Sequence, residues 1–142
     1  MLAITGSRKI DNFTNIQMQH LRNQLNTLRT QFDTFRHGDA IGADAIGHNI
    51  AVELGYNIII HPPIDPKYRA FCQSDNIETP ADYIKRDHNF IDRSTLLLAV
   101  PNGNKEILRS GTWATVRYAR KKGIEIRILY PDGRVVIENA PS

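Results

Sequence analysis

The stretch Leu2-Ala3-Ile4-Thr5-Gly6-Ser7-Arg8 decides the architecture. Its first four residues form a short run of buried-strand character, and Gly6-Ser7-Arg8 ends that run with small and polar residues. The period then changes. Thr14 with Gln17 makes a capping box, Phe13 and Met18 are placed to form the hydrophobic staple across it, and Leu21, Leu25, Leu28 and Phe32 follow at helical spacing. A buried strand feeding an amphipathic helix over about 14–31 is the opening of a β-α-β chain.

The same alternation continues downstream. Phe32 to Arg36 reads as a second, weaker strand leading into His37-Gly38-Asp39, and Ala43, Ile46, Ile50 and Leu54 mark one face of a second helix that Gly55 closes at C′. Asn57 to Ile60 is a third strand, stopped by Pro62-Pro63. Residues 62–79 have mixed polarity and no sustained period, as expected of a long functional loop. Thr79-Pro80 reads as a helix N-cap with proline in first position, opening a helix to about Arg93. Thr95 to Val100 is the most apolar strand. A further helix begins near Ser110 to Thr112 and ends at Gly123, Glu125 to Tyr130 is a fifth strand, and Pro131-Asp132-Gly133 turns into a last short strand, Arg134 to Ile137. Strands alternating with helices imply parallel pairing, hence an α/β, three-layer, doubly wound, mostly parallel sheet of about five strands plus a short C-terminal hairpin strand. With no repeat, low-complexity tract or internal linker, residues 1–142 are expected to form one domain.

Composition sets the bounds. The chain has 142 residues, 41% hydrophobic and 23% charged, as in ordinary globular proteins. No apolar run approaches the roughly 18 residues of a membrane span, so no membrane partner is expected. The opening residues are too short and uncharged a stretch for a secretory signal, and the lone Cys72 fits a reducing compartment, so the expected location is cytoplasmic. The net charge of +3 suits an anionic ligand without demanding nucleic acid. The one dense basic run, Arg117, Arg120, Lys121 and Lys122, reads as a helix C-terminus whose cations complement the macrodipole.

In doubly wound sheets the ligand lies outside the carboxyl ends of the strands, where strand order reverses. Three segments fall on that edge: Gly6-Ser7-Arg8, the run from His37 and Gly38 through Asp39, Gly42, Ala43 and Asp44, and Ser110-Gly111-Thr112-Trp113. Glycines there allow close backbone approach, free helix N-terminal amides favour phosphate, and Arg8 can make bidentate contacts to an anion. Arg86, Asn89 and Arg93 share one helix face. Arg86 and Asn89 are candidates to reach a ligand, or the face is solvated and paired to Asp87 and Asp92. Trp113 is placed either to stack on a base or to join the core. The five histidines have no ligand spacing, and no metal or cofactor is expected; Asp39 and Asp44 could at most share a divalent cation with phosphates. Walker, dinucleotide and nucleophile-elbow motifs are absent.

The elements Gly6-Ser7-Arg8, His37-Gly38-Asp39-x-x-Gly42-Ala43-Asp44, Arg86-Asp87-His88-Asn89 and Ser110-Gly111-Thr112-Trp113, in that order over nearly the whole chain, resemble the SLOG superfamily. Within it, the chain is similar to the small stand-alone branch of bacterial and phage genomes. The resemblance implies a Rossmann-like fold, a nucleotide-derived ligand at the strand ends, and a homo-oligomer, dimer or tetramer. The lonely-guy phosphoribohydrolases of that superfamily carry a catalytic glutamate where this chain has Thr115. A threonine cannot serve as a carboxylate base, which puts glycosidic cleavage in doubt. Other branches sense NAD-derived cyclic ADP-ribose signals in antiviral defence or bind single-stranded DNA. The expectation is a non-catalytic binder of ADP-ribose, cyclic ADP-ribose or a related signal, sensing it or sequestering it in phage anti-defence. The alternatives are a nucleotide-processing enzyme using Asp39 or Asp44 as acid/base, and a single-stranded nucleic-acid binder. The modest charge and few aromatics count against the last.

Overall fold

A computed structural model describes residues 1–141. The first strand, β1 (Leu2–Gly6), lies in the middle of a seven-stranded sheet. Around it are β2 (Thr34–His37), β3 (Asn57–Ile60), β4 (Asn76–Ile77), β5 (Leu96–Val100), β6 (Glu125–Leu129) and β7 (Val135–Glu138). The order is β4-β3-β2-β1-β5-β6-β7, with every pairing parallel except the terminal β6–β7 pair. The chain builds outward from β1 through β2 to β4, then crosses to β5 and builds the other way. The junction of β1 and β5 is therefore the switch point.

Side chains alternate across the sheet as period two requires. Leu2 and Ile4, with Leu96, Leu98 and Val100, face the helices α1 (Asn15–Leu28) and α2 (Ala43–Glu53), burying Leu21, Leu25, Leu28, Ile50 and Ala51. Ala3, Leu97 and Ala99 face the opposite layer, α3 (Tyr83–Asp92) and α4 (Gly111–Lys122), with Phe90, Ile91, Trp113, Val116 and Ala119. Each fully buried leucine contributes about 2 kcal/mol to holding these three layers together.

Most boundaries follow the local chemistry read from the sequence. Gly55 (φ +82°) and Gly123 (φ +75°) stand at the ends of α2 and α4 in the left-handed region, as helix-closing glycines do. Two expectations change. The 62–79 segment contributes β4, two exposed residues that pair with Ile59 and Ile60; a strand this short shows no hydrophobic alternation to read. The N-cap of α3 is Asp82, not Thr79, because its carboxylate accepts from the Lys85 amide at 2.9 Å. Ala81 is instead drawn into an extended bridge with Pro63, which keeps Pro80 out of the helix.

The capping box of α1 forms, and its glutamine does more than cap. Thr14 Oγ1 accepts from the Gln17 amide at 3.2 Å, and Gln17 Oε1 accepts from the Thr14 amide at 3.3 Å. The side-chain amide of Gln17, fully buried, donates to the carbonyls of Pro101 (2.7 Å) and Leu129 (2.8 Å). It thus ties the end of β5 to the end of β6. Gln17→Leu strips two buried carbonyls of their donor and should cost about 2–4 kcal/mol, read as a shift in the urea unfolding midpoint; an unchanged midpoint would contradict this role.

Candidate functional site

The switch point opens into a cleft of about 800 Å³, bounded by the loops after β1 and β5, the first turns of α2 and α4, the inner face of α3, and Pro63 and Tyr68 of the 62–79 segment. That volume is in the range of small-molecule sites. Of the residues expected at a site, Gly6, Ser7, Arg8, Asp44, Arg86, Ser110, Gly111, Thr112 and Trp113 line it, whereas His37, Gly38, Asp39, Gly42, Ala43 and Asn89 do not.

The glycines and Ala43 serve the protein's own close approaches. A Cβ on Gly6 would collide with the Ala43 side chain and lie 2.7 Å from the Val100 carbonyl. Gly42 (φ +92°) caps α2 so tightly that a Cβ would lie 2.6 Å from the Arg8 Cα, and a Cβ on Gly38 would lie 2.8 Å from the Arg86 guanidinium. Gly111 is different: nothing lies within 4 Å of where its Cβ would be, so it faces open space.

One end of the cleft is rich in donors. Ser110 caps α4 by accepting from the Trp113 amide at 3.3 Å. The amides of Gly111 and Thr112, in the first turn, have no partner among the described residues. Arg8, Lys9 and Arg109 stand at this end and make no ion pair among the described residues. The Arg8 guanidinium lies 3.6 Å over the Tyr68 ring, which orients it. Trp113 is 2% exposed and sits in the core beside Tyr130, so it is no platform for a base.

The other end is rich in acceptors. Asp44, in the first turn of α2, takes the Gly38 and Ala40 amides on one carboxyl oxygen, both at 3.2 Å. Burial pushes its carboxyl up to about 7, against the pull of the Arg86 charge. Arg86 is itself committed to Asp87 (Nε to Oδ1, 2.6 Å) and to the Gly38 carbonyl. Asp87 also accepts from Thr115 Oγ1 at 3.1 Å, and burial raises its carboxyl too. Asp87 thus stands beside Thr115 of α4, but comes from α3. In the sequence Asp87 reads only as a partner for the arginines, since the meeting of α3 and α4 is not visible in spacing.

Behind the cleft, His37 and Asp39 organise the interior. Asp39 (φ +59°) accepts from Arg69 Nε at 2.6 Å and the Cys72 amide at 2.9 Å, pinning the 62–79 segment. Wholly buried and so engaged, it does not reach the cleft. The Asp39 amide donates to His37 Nδ1 at 2.9 Å, which assigns the ring proton to Nε2 and directs it to His48 Nδ1 at 2.9 Å. Cys72 brings its sulfur close enough that it and ring nitrogens of His37 and His48 all lie within 4.8 Å of one another. His37 Nε2 and His48 Nδ1 are hydrogen-bonded to each other, and burial with the Asp39 charge pushes the thiol up to about 12. A second, more open groove of about 610 Å³, lined by Tyr56 and residues 72–77, runs along the β4 edge. On α3, Asn89 stays off the cleft wall, and Arg93 pairs with Glu78 at 3.4 Å.

These buried groups make stability depend on pH. Burial lowers His37 to about 3 and His61 to about 4, and lowers His48 as well, so in acid the unfolded chain takes up protons that the folded chain refuses. Their contribution is lost as pH falls through about 6.5. Asp44 and Asp87, raised, act in the opposite sense and offset part of this. The histidines prevail, and urea titrations should find about 1–2 kcal/mol less stability at about pH 5 than at about pH 7. Stability that holds or rises over that interval would contradict the assignment.

No family model matches the chain, and no curated protein sequence does. Solved structures do. A molybdenum cofactor binding protein from Rippkaea orientalis superposes with a TM-score of 0.67 at 13% identity, over 89% of this chain and 74% of that one. A structural-genomics target, TM1055, gives 0.65 at 14% identity over 88% and 71%. The single-stranded-DNA-binding DNA processing protein A from Helicobacter pylori gives 0.62 at 20% identity over 89% and 63%. At such identities the likeness speaks for the architecture alone: the chain has a Rossmann-like α/β fold with a mostly parallel sheet.

Proposed function

We propose that the cleft binds a nucleotide-derived small molecule, of the class of ADP-ribose, cyclic ADP-ribose or a related NAD-derived signal, and holds it intact. The observation that carries this reading is the donor-rich end: among the described residues, two unpartnered amides at the start of α4 share the cleft with three cations that make no ion pair. A helix N-terminus with flanking arginines is a phosphate-binding arrangement. The fold also serves proteins described as binding molybdenum cofactor and single-stranded DNA. Thr115 supports holding without cutting, since its hydroxyl supplies no carboxylate and its one proton is shared between Asp87 and the Gly111 carbonyl. Retention alone suffices to sense a signal or to sequester it in phage anti-defence, because lowering free ligand needs affinity and no chemistry.

The basic run on α4 supports the small-molecule reading over nucleic acid. Arg117 and Arg120 pair with Glu106, Arg120 also with Glu138, and Lys122 with Asp92, so these charges are neutralised locally. One observation favours a processing enzyme as second reading: Asp87 places a carboxyl at the cleft beside Thr115.

The test is calorimetry with ADP-ribose, NAD and AMP, followed by chromatography of the recovered ligand. Intact recovery is expected, and Arg8→Ala should weaken binding about 10- to 100-fold, the value of a charged hydrogen bond pair. Because Arg8 is exposed, its removal should lower the melting temperature only slightly, through loss of its Tyr68 contact. Release of free base or ribose phosphate would establish the enzyme reading instead, and unchanged affinity in the variant would move the anion elsewhere.

A further inference from the structure

We propose that the open side of β7 is an interface, and that its occupant is β7 of a second copy of this chain, paired antiparallel about a two-fold axis at Val136. Nothing in this depends on what the cleft holds.

Backbone register identifies the free groups. β7 is the last strand of the sheet and pairs on one side only, with β6. The Tyr130 amide donates to the carbonyl of Arg134, directly opposite it, at 2.9 Å. Opposed residues of an antiparallel pair alternate between hydrogen-bonded and not, so Val136 (opposite Ile128) and Glu138 (opposite Ile126) turn their backbone groups to β6. The amides and carbonyls of Val135 and Ile137 therefore point out from the sheet, and nothing meets them among the described residues. Edge strands are commonly blunted by lysine, proline or a bulge, and Val135-Val136-Ile137 has none of these. Ile137 is instead 52% exposed. The opposite edge, β4, has only two residues to offer.

The order of the side chains selects the occupant. An antiparallel pair centred on Val136 makes Val135 of each copy a hydrogen-bonded partner of Ile137 of the other, which uses the outward groups of both. It sets Arg134 of each copy opposite Glu138 of the other, and Val136 opposite its own counterpart. The faces match as well. Val135 packs on the α1–α2 core and Val136 on the α3–α4 core, while Glu138 is held by Arg120 of α4 and Arg134 lies over the Tyr130 ring. Opposite charges thus meet on the α4 face, where Arg134 Nη1 makes no bond among the described residues. On the α1 face the exposed Ile137 is covered by Val135 of the partner subunit. Opposite-charge and β-branched cross-strand pairs are among those that stabilise sheets. An extended segment of unrelated sequence would satisfy the backbone but not the side chains of 134–138 together.

Sedimentation equilibrium on the full chain should show a dimer that forms with rising concentration. Ile137→Pro should abolish it with little change in melting temperature, because the amide it removes points away from β6. Should that variant fail to fold, Ile137→Lys places a charge on the same exposed edge and should abolish the dimer as well. Register is read by Val136→Cys in a Cys72→Ser background. Opposed residues that are not hydrogen-bonded have Cα atoms about 4.5 Å apart, within disulfide range, so oxidised glutathione should convert most of this variant to a linked dimer. Ile137→Cys in the same background faces Val135 of the partner subunit rather than its own counterpart and should link far less. A chain that stays monomeric at every concentration overturns the proposal. So does a dimer that both Ile137 variants leave intact, or one that Ile137→Cys links more readily than Val136→Cys.

Discussion

Everything at the cleft depends on how closely the end of β1 approaches the start of α2. Ser7 sits at that contact and makes two backbone bonds: its amide donates to the Val100 carbonyl at 3.0 Å, and its carbonyl accepts from the Ala43 amide at 3.0 Å. One residue thereby fastens the switch point of the sheet to the first turn of a helix. The approach leaves no room for a Cβ at position 6, and at position 42 it demands both a positive φ and a bare backbone. From this contact Arg8 emerges toward the donor-rich end and Asp44 toward the acceptor-rich end. Their relation is set by the main chain rather than by side-chain packing.

That contact also explains which parts of the site could be read from the sequence. Gly6-Ser7-Arg8 and the run from His37 to Asp44 were legible as one edge because a glycine after a buried strand marks a turn, and two such turns in a parallel sheet face the same way. Their individual roles were not. The glycines looked suited to a ligand's approach, but Gly6 makes room for Ala43 and Gly42 for the Ser7-Arg8 backbone. His37 and Asp39 carried the chemistry of a site and turned inward, because the Asp39 carboxylate is needed to hold Arg69 and the Cys72 amide. Asp87 was the reverse case. Nothing in Arg86-Asp87-His88-Asn89 says that α4 will lay Thr115 against it. Helix ends written in local chemistry, such as the Thr14 and Gln17 capping box, were readable to the residue; the burial of Gln17 under two distant carbonyls was not.

The distribution of charge gives the cleft a direction. Cations that lie outside it are consumed by neighbours, as Arg120 is by Glu106 and Glu138. Those at the α4 end are left free, and the one cation at the Asp44 end is neutralised in place. Tyr68, lying over Arg8, adds an aromatic wall from a segment that Asp39 pins down. The shape of the cleft and the order of the 62–79 segment are therefore coupled through a single buried carboxylate.

A nucleotide-type ligand is proposed at the β1–β5 switch point. It is tested most directly by titrating the ¹⁵N-labelled protein with ADP-ribose and following the amide resonances. The largest shifts should fall on residues 6–9, on Asp44, and on Gly111 and Thr112. Shifts confined to the groove along β4, at Tyr56 and residues 72–77, or none at saturating ligand, would contradict it.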